Sequence, residues 1–211
     1  MVDLKGQFDK IKDEVNASIQ EVLETTAYIN GPKVHQFQKN LEQYLGVKHV
    51  IPCANGTDAL QIAMMALGLK AGDEVICPAF TYVATAEVIG LLGLTPVMVD
   101  VDPYTFNITP LEIEKAITSK TKAFLFSTPC NPTGSVYSKN ELAELVKVFE
   151  KHPNIIIISD EIYEHINFDS THTSIAEFES ISERCIVING LSKAFAMTGW
   201  RLGYIGAPKW I

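Results

Sequence analysis

Ile155-Ile156-Ile157-Ile158-Ser159-Asp160-Glu161-Ile162-Tyr163 is the stretch on which the fold class turns. Four isoleucines in succession leave no polar side to face water, so the run reads as a strand covered on both faces. β-branched side chains suit the pleated, extended chain, and a pair of carboxylates followed by a tyrosine ends it. A strand of that kind belongs to a largely parallel sheet with helices packed on either side.

The same rhythm extends in both directions. Short apolar runs at 48–53, 74–79, 95–101, 122–128, 185–189 and 201–207 read as further strands, and helical periodicity fills 57–69, 83–92, 110–117 and 138–151. Strand–helix alternation implies right-handed crossovers. It predicts an α/β three-layer sandwich around a mostly parallel seven-stranded sheet. Only about eleven residues lie between Asn189 and Arg201, too few for a parallel crossover. The last strand is therefore expected to run antiparallel, with its beginning at the edge where the other strands end. Ahead of the sheet, Leu4, Phe8, Ile11, Val15, Ile19 and Val22 recur at helical spacing. Val34, Phe37, Leu41 and Leu45 form a second stripe that stops at Gly46, and Asn30-Gly31-Pro32 turns between the two. The expected division is an N-terminal helical segment, 1–47, and a large ligand-binding domain, 48–211.

The charge balance excludes several partners. The 211 residues carry 17 basic and 25 acidic side chains, a net charge of -8, with no cluster of Lys or Arg. Nucleic acid and anionic membranes are disfavoured by such a surface. No apolar run approaches the roughly 18–20 residues that span a bilayer. The charged opening MVDLKGQFDKIKDEV is unlike a secretion signal, so a cytoplasmic location is expected. Cys53, Cys77, Cys130 and Cys185 show no C-x-x-C pairing and read as small hydrophobes. The five histidines lack metal-ligand spacing, and no metal site is expected. No strand is followed by G-x-G-x-x-G, which disfavours a nicotinamide cofactor.

Ligands of open α/β sheets bind beyond the carboxyl ends of the strands, so the residues following each strand are the candidates. They are Asn55-Gly56-Thr57-Asp58 opening a helix, Phe80-Thr81-Tyr82, Asn131-Pro132-Thr133-Gly134, Asp160-Glu161-Ile162-Tyr163, and Ser192-Lys193, with Arg201 at the start of the last strand. This is the set that pyridoxal 5'-phosphate (PLP) requires. Its aldehyde needs a lysine, Lys193, to form the Schiff base and later move a proton. Its ring nitrogen needs a carboxylate, Asp160, so that the ring acts as an electron sink. Its phenolic oxygen needs donors, Asn131 and Tyr163. Its phosphate needs a helix N-terminus and a cation, Gly56-Thr57 and Arg201, and its ring face an aromatic lid, Tyr82. Asp58 reads as a favourable charge in the first helical turn.

At these residues the chain resembles the fold-type I PLP-dependent aminotransferases. Asn131-Pro132-Thr133-Gly134, Asp160-Glu161-Ile162-Tyr163 and Ser192-Lys193-Ala194-Phe195 followed by Thr198-Gly199-Trp200-Arg201 resemble the class I/II, aspartate-type signatures. That resemblance implies catalytic roles for Lys193, Asp160 and Tyr163, and a phosphate contact for Arg201 with Ser192 assisting. Earlier, Ile29-Asn30-Gly31-Pro32, Cys53-Ala54-Asn55-Gly56-Thr57-Asp58-Ala59-Leu60 and Phe80-Thr81-Tyr82-Val83-Ala84-Thr85 resemble the DegT/StrS-type nucleotide-sugar aminotransferases. In that family Gly56-Thr57 would cradle the phosphate and Tyr82 would stack on the ring. The change of pattern near Ala123 predicts a mosaic of two related halves, a chimera of one fold. The resemblance also implies a homodimer, small-molecule amino donors and keto acceptors, and a small C-terminal domain that this chain lacks. Three functions are thus expected in competition: transfer of an amino group from an amino acid to a keto acid or keto sugar, another PLP reaction such as that of a lyase, decarboxylase or racemase, or a PLP-binding, non-catalytic hybrid domain.

Overall fold

The computed structural model describes residues 2–168 and 171–211. Two compact units divide the chain, one up to Pro52 and one from Cys53 to Ile211.

The first unit holds α1 (Leu4–Thr25) and α2 (Pro32–Leu45). Asp3 caps α1 by accepting from the Gly6 amide. Pro32 occupies the first turn of α2, where its missing N–H costs nothing. Gly46 closes α2 in the left-handed conformation, φ 67°, as its position after the last stripe residue predicts. Neither helix contains a buried residue.

The remaining elements are β1 (Ile51–Cys53), α3 (Gly56–Ala66), β2 (Glu74–Pro78), α4 (Ala84–Leu91), β3 (Thr95–Val99), α5 (Pro110–Ala116), β4 (Thr121–Ser127), α6 (Lys139–Lys151), β5 (Ile156–Asp160), α7 (Glu179–Ser182), β6 (Cys185–Gly190) and β7 (Gly203–Gly206). The sheet order is β1-β7-β6-β5-β4-β2-β3. Pairings β2–β3, β2–β4, β4–β5 and β5–β6 are parallel. The β6–β7 pair is antiparallel, as the short connection requires.

Alternation along the central strands sorts the core onto two faces. Phe124, Phe126 and Ile157 pack with Leu142, Leu145 and Phe149 of α6. Their neighbours Ala123, Leu125 and Ile158 pack on the other side with Leu60, Met64, Val88 and Ile89 of α3 and α4. Three layers result. Register then aligns the ends of the strands that matter: Ser127 lies opposite Asp160, and Asp160 opposite Ile188.

Three local features depart from the sequence expectation. β1 covers three residues rather than 48–53, with Pro52, which has no N–H to donate, at its centre. Arg201 does not open the last strand; it stands two residues before it at φ 57°. α7 has four residues, too short to show a period.

Candidate active site

The ends of β1, β2, β4, β5 and β6 and the start of β7 deliver groups to a cavity of about 280 Å³. After β1, Asn55 caps α3: its Oδ1 accepts from the Asp58 amide at 3.0 Å, and its Nδ2 donates to Asp58 Oδ2 at 2.8 Å. That fixes the helix start and leaves the first-turn amides of Gly56 and Thr57 toward the cavity, at the positive end of the helix dipole. Asp58 is thereby engaged in the cap, in keeping with its reading as a first-turn charge. Gly203 makes this approach of β7 to α3 feasible. A Cβ there would lie 2.6 Å from the Asn55 carbonyl carbon and 3.0 Å from the Gly56 nitrogen.

From the other strands come the remaining groups. Tyr82 lines the cavity from the turn after β2 and is 57% exposed. Asn131, in the loop after β4, donates from Nδ2 to the Tyr163 hydroxyl at 3.3 Å. That loop is pinned back by its own contacts: the Gly134 amide donates to the Cys130 carbonyl at 2.8 Å. Asp160 ends β5, and its Oδ1 accepts from the Ile162 amide at 3.2 Å. Burial pushes the Asp160 carboxyl up to about 6; the Ile162 hydrogen bond opposes this, the Glu161 charge adds to it, and the Lys193 charge opposes it.

Lys193 follows β6, with Nζ 5.7 Å from the centre of the Tyr163 ring. The turn carrying it is closed by Thr198, whose hydroxyl donates to the Ser192 carbonyl at 2.9 Å. Arg201 donates from Nη1 to the Thr198 carbonyl at 3.2 Å, so its guanidinium is aimed by the same turn. All nine residues singled out from sequence, Gly56, Thr57, Tyr82, Asn131, Asp160, Tyr163, Ser192, Lys193 and Arg201, line this one cavity.

The wall also contains residues to which the sequence assigns no ligand contact, among them Asn55, Thr85, Ser127, Ile162 and Thr198. Asn55 and Thr85 stood in quoted motifs, and Asn55 could have been chosen from its capping position; Ser127 carries no sequence signal. Among the described residues no helix is long and apolar enough to cross a membrane.

The arrangement is one amine facing one carboxylate, a phenol bonded to an amide, and a helix start beside a guanidinium. It can hold a flat, basic heterocycle by its ring nitrogen and a phosphate by its tail. Known proteins are similar to this chain in sequence and fold. Residues 9–161 match the DegT/DnrJ/EryC1/StrS aminotransferase family, running past the expected join near Ala123. A UDP-2-acetamido-2-deoxy-3-oxo-D-glucuronate aminotransferase of Pseudomonas aeruginosa is 55% identical over 124 residues, 59% of this chain and 34% of that protein. An aspartate aminotransferase of Pyrococcus abyssi is 42% identical over 166 residues, 78% of this chain and 42% of that protein. The solved aromatic aminotransferase of Pyrococcus horikoshii superposes with a TM-score of 0.80 at 34% identity, covering 94% of this chain and 56% of that one. The chain thus spans between a third and about half of the length of these relatives.

Proposed function

This chain belongs to the DegT/DnrJ/EryC1/StrS aminotransferase family, whose members depend on PLP, and from that premise we propose that its cavity holds PLP for amino-group transfer. The carrying observation is the convergence of Lys193, Asp160, the Asn131–Tyr163 pair, the start of α3 and Arg201 on one cavity. The donor set fits the cofactor. The first-turn amides and the Arg201 guanidinium suit a phosphate dianion. The cavity side of Gly56 is open, with nothing within 4 Å of a Cβ placed there, so a phosphate can approach the backbone.

When bound, PLP supplies the electron sink that makes the substrate's α-hydrogen acidic. The protein's residues do the rest. Lys193 is the nucleophile toward the aldehyde and afterwards the base that carries the proton. Asp160, as a carboxylate, holds the ring nitrogen protonated. Asn131 and Tyr163 hold the phenolic oxygen, and Tyr82 covers a ring face. Ser192 flanks the phosphate next to Arg201.

The proposed substrates are an amino acid donor and a keto acid or keto sugar acceptor. Support for both acceptor classes comes from the relatives, one named for a nucleotide-sugar substrate and one for aspartate. The same contrast favours a mosaic of related halves. Ile76 and Val99 share one core with Phe124 and Phe126, so such a join is compatible with close packing. Two copies are proposed to associate as a homodimer. We place the activity in the cytoplasm, where the buried thiols of Cys77, Cys130 and Cys185 stay reduced.

The test is an absorption spectrum of the protein with added PLP, for wild type and Lys193→Ala. A visible band present only in the wild type, removed by borohydride and shifted by glutamate or aspartate, is the expected result. A band that survives in Lys193→Ala overturns the lysine assignment. A lysine-dependent band that no amino acid shifts would favour the non-catalytic, PLP-binding reading.

A further inference from the structure

Immediately after Asp160 stands a second carboxylate that the proposed chemistry does not use. Glu161 is 2% exposed, yet both of its oxygens are engaged. Oε1 accepts from Ser159 Oγ and from Ser174 Oγ, each at 2.8 Å. Oε2 lies 2.9 Å from His172 Nε2. A buried carboxylate is tolerated only when its charge is paired and its lone pairs are satisfied. Two hydroxyls and an imidazole meet that condition here.

The backbone of the same residue is also tied down. The Glu161 amide donates to the Ile188 carbonyl of β6 at 2.8 Å, and its carbonyl accepts from the Glu164 amide at 2.9 Å. Glu161 therefore anchors the start of the turn that carries Tyr163, while its side chain fastens the segment holding His172 and Ser174 onto the end of β5. The ionisable groups facing His172 are Glu161, Glu164 and Glu177; those facing Asp160 are Glu161 and Lys193. Burial works to lower the His172 pKa. The Glu161 hydrogen bond and the three glutamate charges outweigh it, so the imidazole ends above its ordinary value. The surroundings of His172 thus favour its charged form beside Glu161.

We propose that Glu161 and His172 form a positioning and charge-balancing pair behind Asp160, fixing the Asp160–Tyr163 turn and offsetting the second negative charge next to the ring-nitrogen partner. This rests on the reading of Asp160 given above, but its test needs neither PLP nor turnover. In the protein without PLP, the carboxyl-carbon NMR resonance of Asp160, assigned by its loss in Asp160→Asn, is followed against pH.

Glu161→Gln removes a negative neighbour, so the Asp160 midpoint falls. His172→Gln keeps an amide donor beside Glu161 and removes the positive charge, so the midpoint rises. Opposite shifts in the two variants are not produced by a purely structural clamp. An Asp160 midpoint that stays put in His172→Gln, with the fold intact, overturns the proposal, and that variant decides alone if Glu161→Gln does not fold. Correct shifts without any Lys193-dependent band would leave this pair standing and sink the cofactor reading instead.

Discussion

At Asp160 folding and ligand binding pull in opposite directions. A carboxyl whose pKa is raised on folding binds its proton more tightly in the native state. Its contribution to stability is complete below the ordinary value of 3.8 and is lost as pH rises through about 6. Above that, the ionised side chain burdens the fold by on the order of 3 kcal/mol. Asp160→Asn keeps an oxygen for the Ile162 amide and removes the charge. The PLP-free variant should therefore resist urea better than wild type at pH 7.5, with the difference closing toward pH 4. PLP affinity should move the other way, low in the variant at every pH and falling in wild type as pH drops through about 6. Equal urea midpoints at pH 7.5 would show that burial does not strain this carboxylate. Residues of this kind were legible in the sequence because each is a polar group in an apolar context at a strand end. Ser127, which lines the same cavity, was not legible. A hydroxyl that faces a ligand looks no different in sequence from one that satisfies the backbone.

At the scale of elements, the site depends on how closely β7 passes the start of α3. Gly203→Ala puts a methyl group 2.6 Å from a backbone carbon of Asn55, where no flexible side chain can yield. The first turn of α3 must shift, and with it the amides proposed to hold the phosphate. A loss of about 1–3 kcal/mol in stability is expected for such overpacking, together with a clear drop in PLP affinity. Ser138→Ala is the matched control. Ser138 heads the capping box of α6, with Glu141 returning the bond to its backbone. Its loss should cost about 1 kcal/mol. α6 packs on the sheet face opposite α3, so PLP affinity should hold. Equal affinity in Gly203→Ala and wild type would detach the phosphate site from α3. The antiparallel β7 followed from a connection too short for a crossover. The left-handed Arg201 did not, because a non-glycine residue at positive φ is set by the Thr198–Arg201 turn rather than by its own preference.

For the whole molecule, the join expected near Ala123 falls inside β4, which pairs directly with β2 from the half before it. Halves of one fold are interchangeable when their strand registers and core volumes agree, and here they share both cores. Apolar surface that these cores do not consume remains on α1, where Leu4, Phe8, Ile11, Ile19 and Leu23 are all 40% exposed or more. Phe80 and Phe106 form a second exposed pair, edge to face with centroids 5.8 Å apart. Stripes of that extent mark association surfaces in soluble proteins, and a second copy is the proposed occupant. Each copy carries a net charge of -8, so association brings like charges together and salt should strengthen it by screening. Sedimentation should give a dimer whose dissociation constant falls as ionic strength rises. Phe8→Glu combined with Ile19→Glu should yield monomers with unchanged sheet content, since neither side chain belongs to either core of the sheet. Wild-type protein that sediments as a monomer over a wide concentration range, at low and high salt alike, would end the homodimer reading and leave the stripe on α1 to a different partner.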